Sequence, residues 1–593
     1  MSIKIILKVF VLFILVLILV KCENNKTPTE TNDSEITNSS DSGNSVVEII
    51  SENKISHEDP SDYIWDAASV KKITLNGNSI TSETSTGISI NGSVLTISAL
   101  GNYELSGTLS NGQIIIDIAD SDLTGIEKTS SANSDEIVRL ILNNANITNS
   151  TSSPIYIANS SKTVIVLSDN STNTLTDGTN YTYINAETEE PNSTIFSNDD
   201  LTFYGNGTLT VNAKFNDAIA SEDGLIIKSG NISIISVDDA IRGKDYLIIK
   251  DGTVKITSNG EGLKSDNTED ATRGYISLEG GSINITSFGD GISAATDVLI
   301  SDGTLNIKTT GTNTTETSSK AVKGLVSVVI DNGDLTINSA DDAVHSNGSV
   351  TINNGTFSIA SKDDGIHADN TVIINDGTIY ILSSVEGVEG HYIYVNGGSI
   401  TVNSIDDSFN SSAGSRTETD DNSCIYIHGG YIVLIPSNGD GLDSNGDMQM
   451  TAGTVIIHGP SSQPEVMIDY NGTFIISGGF LTSSGSNSNM TQAPSSSSTQ
   501  YCVKIMFNTS ISASTIIHVQ DSDGNNVLTF QPTKKFQSVV FSSSDLQKGK
   551  TYSIYKGGSS TGSSSNGLYQ SGTYSGGTLY KSFSVSNTIT NVN

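Results

Sequence analysis

An acidic turn returns along this chain about every 22 residues. It reads as an acidic pair or Glu-Gly, then a small residue, then an aliphatic. Examples are DDAI at Asp238–Ile241, EGL at Glu261–Leu263, DGI at Asp290–Ile292, DDAV at Asp341–Val344, DDGI at Asp363–Ile366 and EGV at Glu386–Val388. Asn216–Ile219 opens the series, and Asp406–Ser408 and Asp440–Leu442 extend it. A fixed period of this length marks a repeat architecture, in which each unit is one structural module stacked on the next. Such stacking places the same chemistry at the same point of each unit, so the acids form a column.

One unit runs from Leu247 to Asp266. Leu247-Ile248-Ile249 is a short apolar strand, Gly252 a turn, and Val254 and Ile256 alternate with Lys255 and Thr257, so one face is buried and one wet. Gly252, Gly303, Gly333, Gly355 and Gly377 hold one place in their units. Two or three short strands with sharp corners in so few residues make one coil of a parallel β-helix, and successive coils pair in parallel about 4.8 Å apart. The fold class is therefore all-β, a parallel β-helix solenoid with a small C-terminal β domain. The organisation is a leader over 1–22, a disordered linker over 23–59, the β-helix over 60–480, a Ser/Asn-rich linker over 481–500, and a small β domain or cap over 501–593.

The leader has Lys4 and Lys8 ahead of an unbroken apolar run from Val9 to Val20, short for a membrane span and right for a signal core. Leu19-Val20-Lys21-Cys22 resembles a lipobox, with Lys21 in place of the small residue that precedes the lipidated Cys. Lipidation at Cys22 and an uncleaved N-terminal anchor both give an exported protein tethered to a membrane, at the cell surface or on an outer leaflet. Cys424 and Cys502 lie in aliphatic text and read as buried thiols. The formal charge of −35, from 30 Lys+Arg against 65 Asp+Glu, repels phosphate backbones and excludes nucleic acid as a partner.

Aligned on the second acid, the column runs Asp217, Asp239, Glu261, Asp290, Asp342, Asp364, Glu386, Asp407 and Asp440. Two carboxylates at coil spacing repel by about 3 kcal/mol at an effective dielectric near 20. One remedy is a cation. Carboxylates with amide and backbone oxygens on tight turns are the hard ligands calcium takes, and Glu222, Asp266, Asn347, Asp369 and Asn445 stand five residues beyond the aligned acid. The candidate calcium ligands are Asp238, Asp239, Glu261, Asp266, Asp290, Asp341, Asp342, Asp363, Asp364, Asp369, Glu386, Asp406, Asp407 and Asp440; no His/Cys cluster competes for zinc. The other remedy is internal salt bridging by a variable column three residues on: Ala220, Arg242, Lys264, Ser293, His345, His367, Glu389, Asn410 and Asp443. Ordinary solvated turn chemistry accounts for any single Asp.

Calcium beside a basic residue on a parallel β-helix is also the arrangement of pectate-type lyases, in which the metal acidifies a proton and the base removes it. Arg242, Lys264 and Lys323 are the candidate bases; as partners of the nearby acids they are equally salt-bridge residues. Exposed tyrosines are platforms for sugar rings, and Tyr380, Tyr392 and Tyr394 are the candidate contacts, though strand tyrosines also serve packing.

The text DYIWDAASVKKITLNG near Asp62, the repeated DDAI, DDGIHADN and EGVEG units, and the C-terminal DYNGTFIISGGFLTSSG through TFQPTKKFQSVVFSSSDLQKGKTY together resemble one family. It is the bacterial carbohydrate-binding domain-containing exported proteins, often lipoproteins, whose characterised type is a clostridial surface protein that binds cellulose and acidic sugars. The resemblance implies a right-handed parallel β-helix, calcium at the turn acids, and binding of cellulose or acidic, pectin-like polysaccharide without demonstrated cleavage. The alternatives are a calcium-dependent polysaccharide lyase and a structural surface adhesin.

Overall fold

The computed structural model describes residues 43–124, 136–183, 189–311, 318–414 and 419–593, so the leader, Cys22 and the first part of the expected linker lie outside the described residues. The chain is all-β, and 47 of its strands join one largely parallel sheet. Each strand of the central region pairs in parallel with the third strand after it, which makes three ladders.

The first ladder is built of short strands that follow the acidic turns, such as Ile241–Gly243, Leu263–Ser265, Ile292–Ala294, Val322–Gly324 and Val344–Ser346. The second holds apolar strands such as Tyr246–Ile249, Tyr275–Leu278, Asp297–Ile300 and Ser327–Ile330. The third holds longer strands such as Thr253–Ser258, Ser282–Ser287 and Thr304–Thr309, and there exposed and buried residues alternate along each strand. In-register aliphatics from all three ladders fill one continuous core, including Ile241, Leu263, Leu247, Ile276, Val254 and Ile283. Full burial of each such side chain contributes about 1.5–3 kcal/mol. The glycine column sits where the chain turns into the third ladder. Gly252, Gly303, Gly333, Gly355 and Gly377 all have φ between 108° and 127°, a region closed to other residues.

The second ladder is buried on both faces, because a segment expected from its composition to be linker covers it. A short helix at Val46–Ile50 rests Val46 and Ile49 on Leu299 and Val329. The Asn53 side-chain amide then donates to Asp297, the His57 ring bonds Asp200 at 2.6 Å, and Trp65 packs with Val70 on Ile137, Ile141, Val164 and Val166. The expected linker therefore does not extend over 43–59, which is docked on the stack. The polar composition around it hid a few well-spaced apolar anchors.

Both ends of the stack are closed. Two antiparallel hairpins stand before the first coils, Lys71–Gly77 with Ser79–Ser82 and Ile88–Asn91 with Val94–Ile97. At the far end Phe480–Gly485 pairs antiparallel with Phe536–Ser542, so the C-terminal unit covers what would be an open sheet edge. The expected linker over 481–500 is part of this closure. Thr482, Ser483, Ser484, Ser486 and Ser488 are buried. The amides of Phe474 and Ile476 donate to the hydroxyls of Ser495 and Ser498, both at 3.0 Å, so serine side chains take the place of a neighbouring strand's carbonyls. Cys424 and Cys502 are buried free thiols, as read from their sequence context.

Candidate functional site

The acid column is a ladder of hydrogen bonds from coil to coil. The amide of Asp239 donates to Asp217 Oδ1 at 3.2 Å, and that of Glu261 to Asp239 Oδ1 at 2.8 Å. The amides of Asp364 and Glu386 donate to Asp342 at 3.1 Å and Asp364 at 3.2 Å. The amide of Asp440 donates to Asp407 and that of Val466 to Asp440, both at 2.6 Å. Each of these aspartates thus satisfies an N–H that the tight turn leaves without a strand partner, which turn propensity alone does not demand; Glu261 and Glu386 instead accept the side chains of Lys264 and Asn410.

The short-strand ladder carries the variable column in register: Ala220, Arg242, Lys264, Ser293, Lys323, His345, His367, Glu389, Asn410, Asp443, Asp469. Its sign changes along the stack, from basic through imidazole to acidic. The basic members are engaged. Arg242 clamps Glu222 at 2.6 Å and Asp266 at 2.9 Å, Lys264 bridges Asp239 at 2.9 Å and Glu261 at 3.3 Å, and Lys323 lies 3.4 Å from Asp290. Arg273, on an insertion after the Glu261 turn, pairs with Asp245. Lys320 stands in the acid column itself, in the unit between Asp290 and Asp342; its amide donates to Asp290, and its ammonium bridges Asp341 at 3.1 Å and Asp342 at 2.6 Å. The acidic pattern passes over this unit because it lacks an acid; the Ala321-Val322 that follows Lys320 is the signal that finds it.

These pairs set the electrostatics. Burial opposes ionisation of Asp239, but bonds from Glu261 and Lys264 outweigh it and hold the carboxyl below the usual range. Burial and the adjoining Asp239 push Glu261 up to about 8. Burial with Asp239 and Asp238 raises Asp217 to about 7. In the later coils burial dominates, joined at Glu386 by the charges of Glu389 and Asp364, and at Asp440 by those of Asp407, Asp443 and Asp469; both rise to about 9. Asp407, buried and beside Asp406 and Glu465, rises to about 6.

Carboxylates crowded in this way are what a divalent cation relieves, and the hard-oxygen donor set fits calcium best at Asp217, Asp238 and Asp239, whose ligand oxygens lie within 4.8 Å of one another. Asp341, Asp342 and Asp363 are equally close, but Lys320 already bridges two of them. The plus-five residues do not join the column. Glu222 and Asp266 face Arg242, Asn347 donates to Asp369 at 3.0 Å, and Asn445 bonds Ser412 and Asn471. The expectation that no histidine cluster forms is corrected. His345 and His367 occupy successive coils, and His345 Nδ1 lies 2.9 Å from Asp342 Oδ2. Burial disfavours charge on His367, yet the carboxylates of Asp342 and Asp364 overcome it and raise the ring to about 11. Zinc-type sequence spacings do not reveal this pair, because its period is that of the coil.

The candidate sugar tyrosines separate. Tyr392 and Tyr394 lie on one strand, where Tyr394 stacks on Tyr426 at 4.5 Å and 8°, and Tyr392 on His391. Tyr380 is on the third ladder, 45% exposed. On that same outer ladder a shallow groove of about 260 Å³ crosses four coils, lined by Lys255, Asn284, Asn306, Lys308, Thr336 and Asn338.

A family model for carbohydrate-binding domain-containing proteins matches residues 91–365 and 359–523, across most of the stack just described. The chain belongs to that family. A carbohydrate-binding domain-containing protein of Acetivibrio thermocellus is 36% identical over 163 residues, 28% of this chain and 52% of the relative, so the chain spans about half the length of the curated relative it matches. A solved polysaccharide lyase-like protein from C. thermocellum, in a gadolinium derivative, is 29% identical; the match covers 48% of this chain and 96% of that one, with a TM-score of 0.38.

Proposed function

We propose that the protein is an exported, membrane-tethered polysaccharide-binding protein whose stack is a right-handed parallel β-helix and whose acidic turns hold calcium. Membership of the carbohydrate-binding domain family carries this reading. The tether is the lipidated Cys22 or the uncleaved leader. Calcium acts at Asp217, Asp238 and Asp239 and at the crowded acids of the later coils, neutralising charge and bridging to sugar carboxylates. The glycan lies along the outer groove of the third ladder. Lys255 and Lys308 stand there in adjacent columns among amide and hydroxyl side chains, and none of the ion pairs above involves them. Positive charge in that groove suits a uronate chain, on a protein otherwise at −35. Groove polarity of this kind favours a hydrophilic, acidic polymer of the plant cell-wall type.

The lyase alternative requires a free base beside calcium, and the ion pairs of Arg242, Lys264 and Lys323 favour the binding reading instead. The test pairs pull-down on polygalacturonate and cellulose, with and without EDTA, against ultraviolet absorbance of unsaturated product. Binding that falls in a Lys255→Ala/Lys308→Ala double variant supports the groove. Absorbance that grows with calcium and vanishes in Arg242→Ala or Lys264→Ala would replace binding with lyase chemistry.

A further inference from the structure

Among the described residues, one place on the acid column differs in ligand chemistry from the rest. His367 Nδ1 stands 3.3 Å from Asp364 Oδ2, 3.6 Å from Glu389 Oε2 and 3.7 Å from Asp342 Oδ2. Charge-assisted N–H···O bonds close to about 2.7–2.9 Å; these contacts, and that of His367 Nε2 to Asp369 Oδ1 at 3.6 Å, are longer, so the ring proton is shared among several carboxylates and a metal entering there displaces it. Ligands held about 2.1 Å from a tetrahedral ion stand about 3.4 Å from one another, which is the spacing seen from His367 to Asp364 and Glu389. The ligand atoms of Asp364, His367 and Glu389 all lie within 4.8 Å of each other. Asp342 is already engaged by Lys320 at 2.6 Å and by His345 at 2.9 Å, so it acts as a neighbour that orients the histidines. The His345 and His367 rings meet edge to face at 5.0 Å. The opposite side is open, with a cleft of about 170 Å³ lined by His367, Asp369, Glu389, Ser412 and Gly414.

We propose that Asp364, His367 and Glu389, from two successive coils, form a site for a divalent transition metal such as zinc, open on the side of the cleft. One imidazole nitrogen with two carboxylate oxygens is a mixed donor set. It suits zinc, cobalt or nickel, whereas calcium and magnesium take oxygen ligands alone. Three protein ligands leave at least one position for water or for a hydroxyl or carboxylate oxygen of a bound ligand. Of the other members of the variable column only His345 supplies an imidazole, and its Nδ1 is already closed on Asp342 at 2.9 Å; Arg242, Lys264 and Lys323 precede that pair, and Asn410 and Asp443 follow the site. His57 with Asp200 and Asp223 also groups one imidazole with two carboxylates, but there the ring is closed on Asp200 at 2.6 Å; the proposal does not rest on the polysaccharide reading.

The test is titration of the full chain with Zn²⁺ by calorimetry in excess calcium, followed by Co²⁺ substitution read as a visible d–d spectrum. One equivalent is expected to bind in competition with Co²⁺, with an imidazole-type Co²⁺ band. His367→Gln and Glu389→Gln should each weaken binding at least tenfold, while His428→Gln, on another ladder, leaves it unchanged. Circular dichroism of each variant separates a lost ligand from a lost fold, and if His367→Gln unfolds, Glu389→Gln carries the test alone. A wild-type chain that takes up no Zn²⁺ beside calcium overturns the proposal. So does a folded His367→Gln or Glu389→Gln variant that binds Zn²⁺ undiminished.

Discussion

Replacing Asp239 with alanine tests whether the acid column is structural in its own right. Asp239 accepts the amide of Glu261 at 2.8 Å and the ammonium of Lys264 at 2.9 Å. Loss of the carboxylate leaves the Glu261 amide without an acceptor in a coil interface, at a cost of about 1–3 kcal/mol. Lys264 is 30% exposed and retains Glu261, so its share is below about 1 kcal/mol. A total of about 2 kcal/mol corresponds to roughly a 30-fold rise in the locally open population. A global melting curve averages such an effect over many coils, since repeat arrays depart from two-state behaviour. Amide hydrogen exchange at Glu261 reads it directly. Asp239→Ala should accelerate exchange there by about that factor, with coils beyond Ile300 unaffected. Asp239→Asn keeps a side-chain oxygen as acceptor and should recover most of the protection. Equal acceleration in both variants, or an alanine variant that exchanges like the parent, would refute the ladder as the reason for the acid.

His458 is buried where the C-terminal unit meets the stack. Its ring bonds the Asn566 carbonyl at 3.0 Å and stacks on Phe530, and burial lowers its pKa to about 4. A base held neutral in the fold contributes stability fully present above its ordinary pKa near 6.5 and lost as pH falls toward 4. Proteolysis or hydrogen exchange of the C-terminal unit should rise through that window, and His458→Gln should flatten the dependence. Gly355→Ala puts a Cβ 2.9 Å from the Gly333 carbonyl at a φ of 122°, so it should cost about 1–3 kcal/mol, read as loss of exchange protection in the coils around Gly333 and Gly355. If calcium sits among Glu386, Asp407 and Asp440 as well as at Asp217, Asp238 and Asp239, chelation should lower the melting temperature, and triple Asn/Gln replacement of the later acids should diminish the chelator's effect; melting curves indifferent to EDTA would count against the metal.

The repeat, its aliphatic interior and the glycine column were legible because each is a local demand repeated in register: φ near 110° at Gly252 admits no other residue, and Val254 and Ile256 must face inward. The acids were legible as a column, but their role as acceptors was not, since a backbone amide carries no sequence signature. Lys320 escaped because it inverts the charge the pattern looks for. The histidine pair was missed because its spacing is set by the coil and differs from that of metal-binding motifs. The covering helix was missed because its two buried anchors, Val46 and Ile49, are too few to form a periodic pattern within Ser/Asn-rich text.

That covering segment changes how the molecule bears load. A bare stack of coils couples each unit only to its neighbours, so it can fray or part between any two. Here one short stretch is fastened at Asn353 and Asp331, at Asp297, and at Asp200 and Lys162, spanning many coils. A pull applied at residue 43 would meet the fastening at Asp331 and Asn353 first, deep within the stack, and those at Asp297, Asp200 and Lys162 only after it. The segment thus ties coils that are not neighbours in the stack, a coupling that a bare solenoid lacks.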